Sequence, residues 1–534
     1  MSIFYYLLAY SRNSYLERYP VKYELEEVFA RMGGRAPPTP PPRKLVWYWT
    51  DSDSHSPSLF PFNIARVCTK WRDILAQFPE YWTRIVFDVA ADPAPLLEAF
   101  SWSKNLEGID VVVFTSEKPS RDIEEEIKAR ENHRVAAIAQ AFQPHTYRCK
   151  SISFDVIYES SLPPPGIFFL REAPVLEELT LKCAVYDIDT TNSTSRPTMG
   201  GEKAPLVTSF GRLRKIFMTG FWIMDLLLSA GTPKWFQDLK LESRAKVSIS
   251  HFRFHDEGQY TLANFLLRLS SSKVERSFHF RDLSLAYPVE DRPIRSDEFG
   301  SKKVFSAYKI SFKSVSKEFL AHFYALVQVE PEDSLTFKDC EIPHIPQLQD
   351  GYQLTLENII DDDNSQSLCN ILGSWAGAEL IVRSCPSFND AILKWLGSEV
   401  LYIPLTPDSR HRPFSPSTSR LCVLHYHAHF GFGATGPFLM FPADQLRSLD
   451  ISNCENVTPR RMRKLLIARH TVAMASPDYV PADLICEVSV KGRGSGLSQV
   501  DRDWFLGIAD LTTVHWMMTN AEGVKEDHDS LMTD

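Results

Sequence analysis

The stretch Leu446-Arg-Ser-Leu449-Asp-Ile451-Ser-Asn-Cys454-Glu-Asn-Val457-Thr458 decides how the chain is read. Leu449 and Ile451 alternate with polar residues over a run too short for a helix, the mark of a short strand with one buried face. Leu446 on the approach points to the same interior. Cys454, three residues past the strand, is small and apolar enough to fill the turn that follows. Weaker copies stand upstream: Leu335-Thr-Phe337 with Cys340, Leu354-Thr-Leu356 with Ile359, and Leu380-Ile-Val382 with Cys385, the closing residue again three after the strand.

Further short apolar or alternating segments lie at 85–87, 109–114, 152–154, 179–181, 239–241, 283–285, 310–312 and 421–424. Neighbours are separated by about 20 to about 60 residues, most near 25, a period that suits leucine-rich repeats. Between them, residues 317–327, 389–396 and 459–469 are each apolar on one face, so the predicted unit is strand, turn, helix. Stretches 187–204 and 288–301 are polar and rich in Ser, Thr, Pro, Gly or charge, and are predicted insertions between repeats. Residues 520–534 form an acidic tail.

Composition narrows the function classes. The 534 residues are 44% hydrophobic and 12% aromatic, enough for several domains or one long array. Fifty-eight Lys plus Arg against 67 Asp plus Glu give a net charge of −9 with no long basic run, which argues against nucleic acid as a partner. No run of about 18 uncharged apolar residues occurs, so no membrane span is expected. The nine cysteines are odd in number and form no Cys-x-x-Cys pair, which favours reduced, buried thiols in the cytoplasm or nucleus.

Near the N-terminus, residues 23–32 form an amphipathic helix candidate that stops at Gly33-Gly34 before the proline run 37–42. From Ile64 to Phe78, Ile64, Val67, Cys68, Trp71, Ile74, Leu75 and Phe78 recur at helical spacing; Asn63 is placed to cap and Pro79 to stop. One helix over 64–78 is therefore predicted.

The segment Ile64-Ala-Arg-Val-Cys-Thr-Lys-Trp-Arg-Asp-Ile-Leu, followed by Phe78-Pro-Glu-Tyr-Trp, resembles the second half of the F-box, with Val67, Cys68, Lys70, Trp71, Arg72 and Trp82 at matching positions. The resemblance covers about 25 residues, and no Leu-Pro opening of the family's first helix stands directly upstream. Segment 446–458 is similar to the Cys-containing leucine-rich repeat found downstream of F-boxes. Together these imply an α/β chain: a short all-α F-box-like module at 45–90 after an extension at 1–44, then an irregular leucine-rich-repeat solenoid over 91–519. They further imply a substrate receptor that docks the Skp-type adaptor of a cullin-RING ubiquitin ligase through Val67, Cys68, Lys70, Trp71, Ile74 and Trp82. A protein target would lie on the solenoid's concave face, at Thr180, Lys240, Ser284, Ser311, Thr336, Thr355 and Asp450. The alternative is a repeat scaffold outside any ligase, its F-box remnant kept for packing.

The sequence carries no pattern that assigns a catalytic or cofactor site. His425, His427 and His429 would share one face of a strand, but same-face neighbours stand about 6.5 to 7 Å apart, too wide for three ligands on one zinc without a bulge. Gly492-Arg-Gly494-Ser-Gly496 has neither phosphate-loop spacing and reads as a turn. The carboxylate runs 124–126 and 361–363 lack a partner His or nucleophile and read as solvated. No metal, cofactor or enzymatic activity is expected.

Overall fold

The computed structural model describes residues 61–117, 124–188, 206–229, 235–242, 244–269, 276–287, 303–343, 351–359, 366–404, 423–426, 438–475 and 483–519. The chain is mixed α/β and divides into two compact units, residues 1–200 with 210–213, and residues 201–209 with 214–534.

In the first unit, four parallel strands pair in chain order: β1 (Arg84–Asp88), β2 (Ile109–Phe114), β3 (Cys149–Tyr158) and β4 (Glu178–Val185). Alternation puts Ile85, Val111, Ile152 and Leu179 in one row and Phe87, Val113, Phe154 and Leu181 in the next, all buried. The helix Glu125–Phe142 buries Val135, Ile138 and Phe142, and Phe142 meets Phe154 at 6.0 Å and Phe168 at 5.7 Å. Two members of the 124–126 carboxylate run, Glu125 and Glu126, occupy this helix's first turn, where the positive end of the helix dipole favours them.

The single helix predicted over 64–78 is instead two, Phe62–Ala65 and Thr69–Leu75, separated at Cys68, whose backbone is extended at φ −163° and ψ 162°. Asn63 lies inside the first, whose N-cap position is Pro61. The second ends at Leu75, and Pro79 opens a tight turn, Pro79–Tyr81, rather than following the helix end. The break has a packing reason. It lets Phe62 and Leu75 both reach Trp82, which stacks edge-on to Phe62 at 5.6 Å and donates its indole N–H to Leu75 O at 3.1 Å. Stretch 45–90 is also not all helical, because β1 falls within it.

In the second unit, β5 (Lys215–Thr219), β6 (Lys246–Phe254), β7 (Ser277–Leu285), β8 (Lys303–Lys313), β9 (Val327–Lys338), β10 (Gln353–Glu357) and β11 (Glu379–Arg383) pair in parallel, each with the next. β12 (Val400–Pro404), β13 (Val423–Tyr426) and β14 (Phe438–Met440) form a separate sheet, with β13 parallel and β14 antiparallel to β12. The main sheet then resumes: β11 pairs with β15 (Ser448–Ser452), followed by β16 (Glu487–Arg493) and β17 (Thr513–Thr519). Ile216, Val247, Phe278, Ile310, Leu335, Leu354, Leu380, Leu449 and Val488 stand in register and are buried, as is the row two residues on. Helices cover this side: Phe323 of helix Lys317–Leu326 meets Phe280 at 5.7 Å and Phe312 at 5.2 Å. That helix starts where Ser316 Oγ accepts from Phe319 N–H, and helix Asp390–Leu396 where Asn389 accepts from Ala391 N–H.

Strands β8, β9, β10, β11 and β15 end alike. Ser314, Asp339, Asn358, Ser384 and Asn453 take left-handed backbone with φ between 51° and 56°, and asparagine and aspartate bear that conformation more readily than branched residues do. Each N–H donates to a carbonyl at the end of the next strand, as in Asn358 to Arg383 O at 2.8 Å and Asn453 to Lys491 O at 2.9 Å. The next residue turns back inward: Val315, Cys340, Ile359, Cys385 and Cys454 are all buried. The Cys385 thiol donates to Arg383 O at 3.2 Å and Leu356 O at 3.5 Å, which ties its turn to the preceding strand.

Other expectations change. Segment 239–241 is no strand, since only Lys240 forms an isolated bridge, to Ser209. It is held instead by the buried guanidinium of Arg276, which donates to Phe236 O at 2.9 Å and to Leu239 O. Segment 283–285 is the far end of β7, and 421–424 overlaps β13 of the separate sheet. Residues 1–44, 289–301, 361–363 and 520–534 lie outside the described residues. No helix among the described residues is long and apolar enough to cross a membrane.

Candidate protein-interaction surface

In the first unit, the segment Val67 to Trp82 has two sides. Trp82 is 0% exposed, locked by its indole bond and by Trp102 at a ring distance of 4.7 Å. Across the break, Val67 is 63% and Trp71 37% exposed, with Cys68 and Lys70 also exposed and Ile74 half-buried. Of the six residues named for adaptor docking, five are thus at least partly open and Trp82 is core. A large apolar side chain held this open costs solvation unless something covers it.

In the second unit, every other strand residue faces away from the helices. The middle row of that face runs Phe217, Ser248, His279, Ser311, Thr336, Thr355, Ile381, Asp450, Ser489 and His515. Ser311, Thr336, Thr355 and Asp450, four of the residues expected on one concave face, stand in one line, with Thr355 buried. Thr180 holds the corresponding place in the first unit, beside Ser153. Ser284 and Lys240 do not join them. Ser284 follows the left-handed turn at Asp282 and pairs with Arg253, while Lys240 is off the ladder. Asp450 Oδ1 and Ser489 Oγ, neighbours in the row, are buried and make no hydrogen bond among the described residues.

The rows on either side carry charge. On one side stand Lys215, Lys246, Ser277, Lys309, Ser334, Gln353, Glu379, Ser448 and Glu487; on the other, Arg281, Lys313, Lys338, Glu357, Arg383 and Lys491. Some are paired: Lys309 with Asp333 at 2.9 Å, Arg281 with Asp282 at 3.0 Å, and Lys338 with Glu357. Burial, and after it the charges of Lys246 and Lys309, push the His279 imidazole down to about 4, so it is neutral at pH 7.

These charged rows escape motif reading, because a single Lys or Ser per strand becomes a surface only once the register is known. The signal available was the parity rule itself, applied to strands β6 and β7 as well as to the leucine-bearing ones. No group of His, Cys, Asp and Glu that could hold a metal occurs among the described residues. His425 lies in β13, and His427 and His429 are outside the described residues. No protein-family model matches the chain, and no curated protein matches its sequence.

Proposed function

We propose that the chain is a substrate-recognition subunit of a Skp-cullin-F-box type ubiquitin ligase, its helix Thr69–Leu75 docking the adaptor and its strand face holding a protein target. The observation that carries this reading is the exposure of Val67, in the turn between the two helices, and of Trp71, on the helix Thr69–Leu75 whose other side is anchored through Trp82. Tryptophan is among the residue types enriched at interface hot spots, and Val67 beside it adds apolar area. The strand-turn-helix units of the second unit, with strands in chain order and thiols in the turns, support a leucine-rich-repeat solenoid and hence a largely polar face for a target, interrupted at Phe217 and Ile381. Ubiquitin transfer would be the work of other subunits, and the chain would act as a scaffold without covalent chemistry.

The test is recovery of a purified Skp-type adaptor by the full chain, by Val67→Asp and by Trp71→Ala. Wild type recovers it, and each variant loses about 2 kcal/mol of binding, roughly thirtyfold in Kd. A well-folded wild-type chain that recovers no adaptor refutes the ligase reading and leaves a repeat scaffold.

A further inference from the structure

We propose that the strand face over β6, β7 and β8 takes an extended, carboxylate-rich segment of the target protein; the inference rests on reading this face as the target-binding surface. Lys246 and Lys309 stand at one end of the patch, Arg281 and Lys313 at the other, and His279 and Ser311 between them. The two ends are four residues apart along the strands, about 13 Å, and β6 and β8 are two strand spacings apart, about 10 Å.

Cations so dispersed do not converge on one point. A single phosphate wants several donors within about 3 Å of the same few oxygens, whereas an extended chain, whose same-face side chains recur about every 6.5 to 7 Å, brings every second carboxylate to the roughly 13 Å that separates the two ends and so offers separate carboxylates to separate lysines. Lys246 and Lys313 make no ion pair among the described residues, so their charge is unspent, while Asp333 and Asp282 partly offset Lys309 and Arg281. The preference is local: in the row that holds Lys246 and Lys309, β11 and β16 carry Glu379 and Glu487. That reversal, with the net charge of −9, disfavours a nucleic acid, whose phosphates would require one sign throughout.

The test is fluorescence anisotropy of the full chain with a labelled 12-residue peptide of alternating Glu and Ser, in about 50 mM salt where pairing is least screened. Saturable binding is expected, weakened at least about tenfold in Lys246→Glu/Lys313→Glu and about threefold in the milder Lys313→Gln. The milder variant keeps the test open if charge reversal unfolds the chain. Absence of peptide binding by folded wild type, or binding that neither substitution changes, overturns the proposal. So does tighter binding of a single-stranded oligonucleotide of equal charge. Adaptor recovery on the same wild-type preparation separates the two readings: peptide binding lost with adaptor retained overturns this inference alone, and peptide binding retained without adaptor supports it while refuting the ligase.

Discussion

The two units end their parallel strands by different chemistry. In the second, the chain solves the problem locally: a left-handed residue donates its N–H to the neighbouring strand, and the next side chain, often a thiol, plugs the turn. In the first, the strand ends borrow carboxylates. Glu131, from helix Glu125–Phe142, accepts from Ile157 N–H at 2.9 Å and Tyr158 N–H at 3.0 Å. Asp88 accepts from Ala90 N–H, Ser116 N–H and Ser116 Oγ–H, and Asp187 accepts from Ser160 N–H and Oγ–H while pairing with Lys128 at 2.8 Å. A local device repeats along a chain; a borrowed one depends on a single distant residue and fails all at once.

That contrast can be broken hardest at Glu131. Glu131→Ala leaves two buried N–H groups unpaired and should cost about 3 kcal/mol, read by urea unfolding. The side chain also carries a pH signature. Burial raises its pKa despite the backbone donors that lower it, so the folded state holds the proton more tightly than the unfolded chain. Its contribution to stability is then greatest below the ordinary carboxylate range and is lost as pH rises through the raised value. Glu131→Gln should flatten that part of the stability-pH curve.

The local device should yield less per site. Asn453→Val forces a branched residue into left-handed backbone and should cost about 1–2 kcal/mol, whereas Asn453→Gly should fall within a few tenths of wild type. The smallest effect is chemical. Burial raises the Cys340 and Cys454 thiols and pushes Cys385 up to about 12, while Cys68 and Cys486 are exposed. Brief alkylation of native protein at pH 8, followed by peptide mass spectrometry, should label the exposed pair and spare the three turn thiols. Labelling of Cys385 at a comparable rate would mean that its turn opens.

The same contrast explains what sequence could reveal. The pattern of two inward residues, a left-handed position and a third inward residue is visible at 310–315, 335–340, 354–359, 380–385 and 449–454, because each copy is contiguous. β6 and β7 carry it too, as Val247-Ser-Ile249 with Phe252 and Phe278-His-Phe280 with Leu283, but a reading keyed on leucine passes over them. Helix Glu125–Phe142 stays hidden because its buried stripe is sparse, its opening is charged, and one of its buried positions is Glu131. The break at Cys68 is equally hidden. Ile64, Val67, Trp71 and Leu75 keep helical spacing across it, and only the need of Phe62 and Leu75 to reach Trp82 requires a bend. Of the surface, the polar row was legible wherever its flanking inward residues were, and the charged rows were not.

The separate sheet of β12 to β14 bears on the order in which the second unit assembles. Most neighbouring strands pair across a few tens of residues, 26 from Leu354 to Leu380, but β11 must find β15 across 69, from Leu380 to Leu449. The added chain entropy is small, about 1 kcal/mol by the logarithmic dependence on loop length, so it barely touches equilibrium stability. Its effect falls on rate. Ordering would spread within β5 to β11 and within β15 to β17 independently, and their junction at Leu380 and Leu449 would be the last seam to close and the first to part.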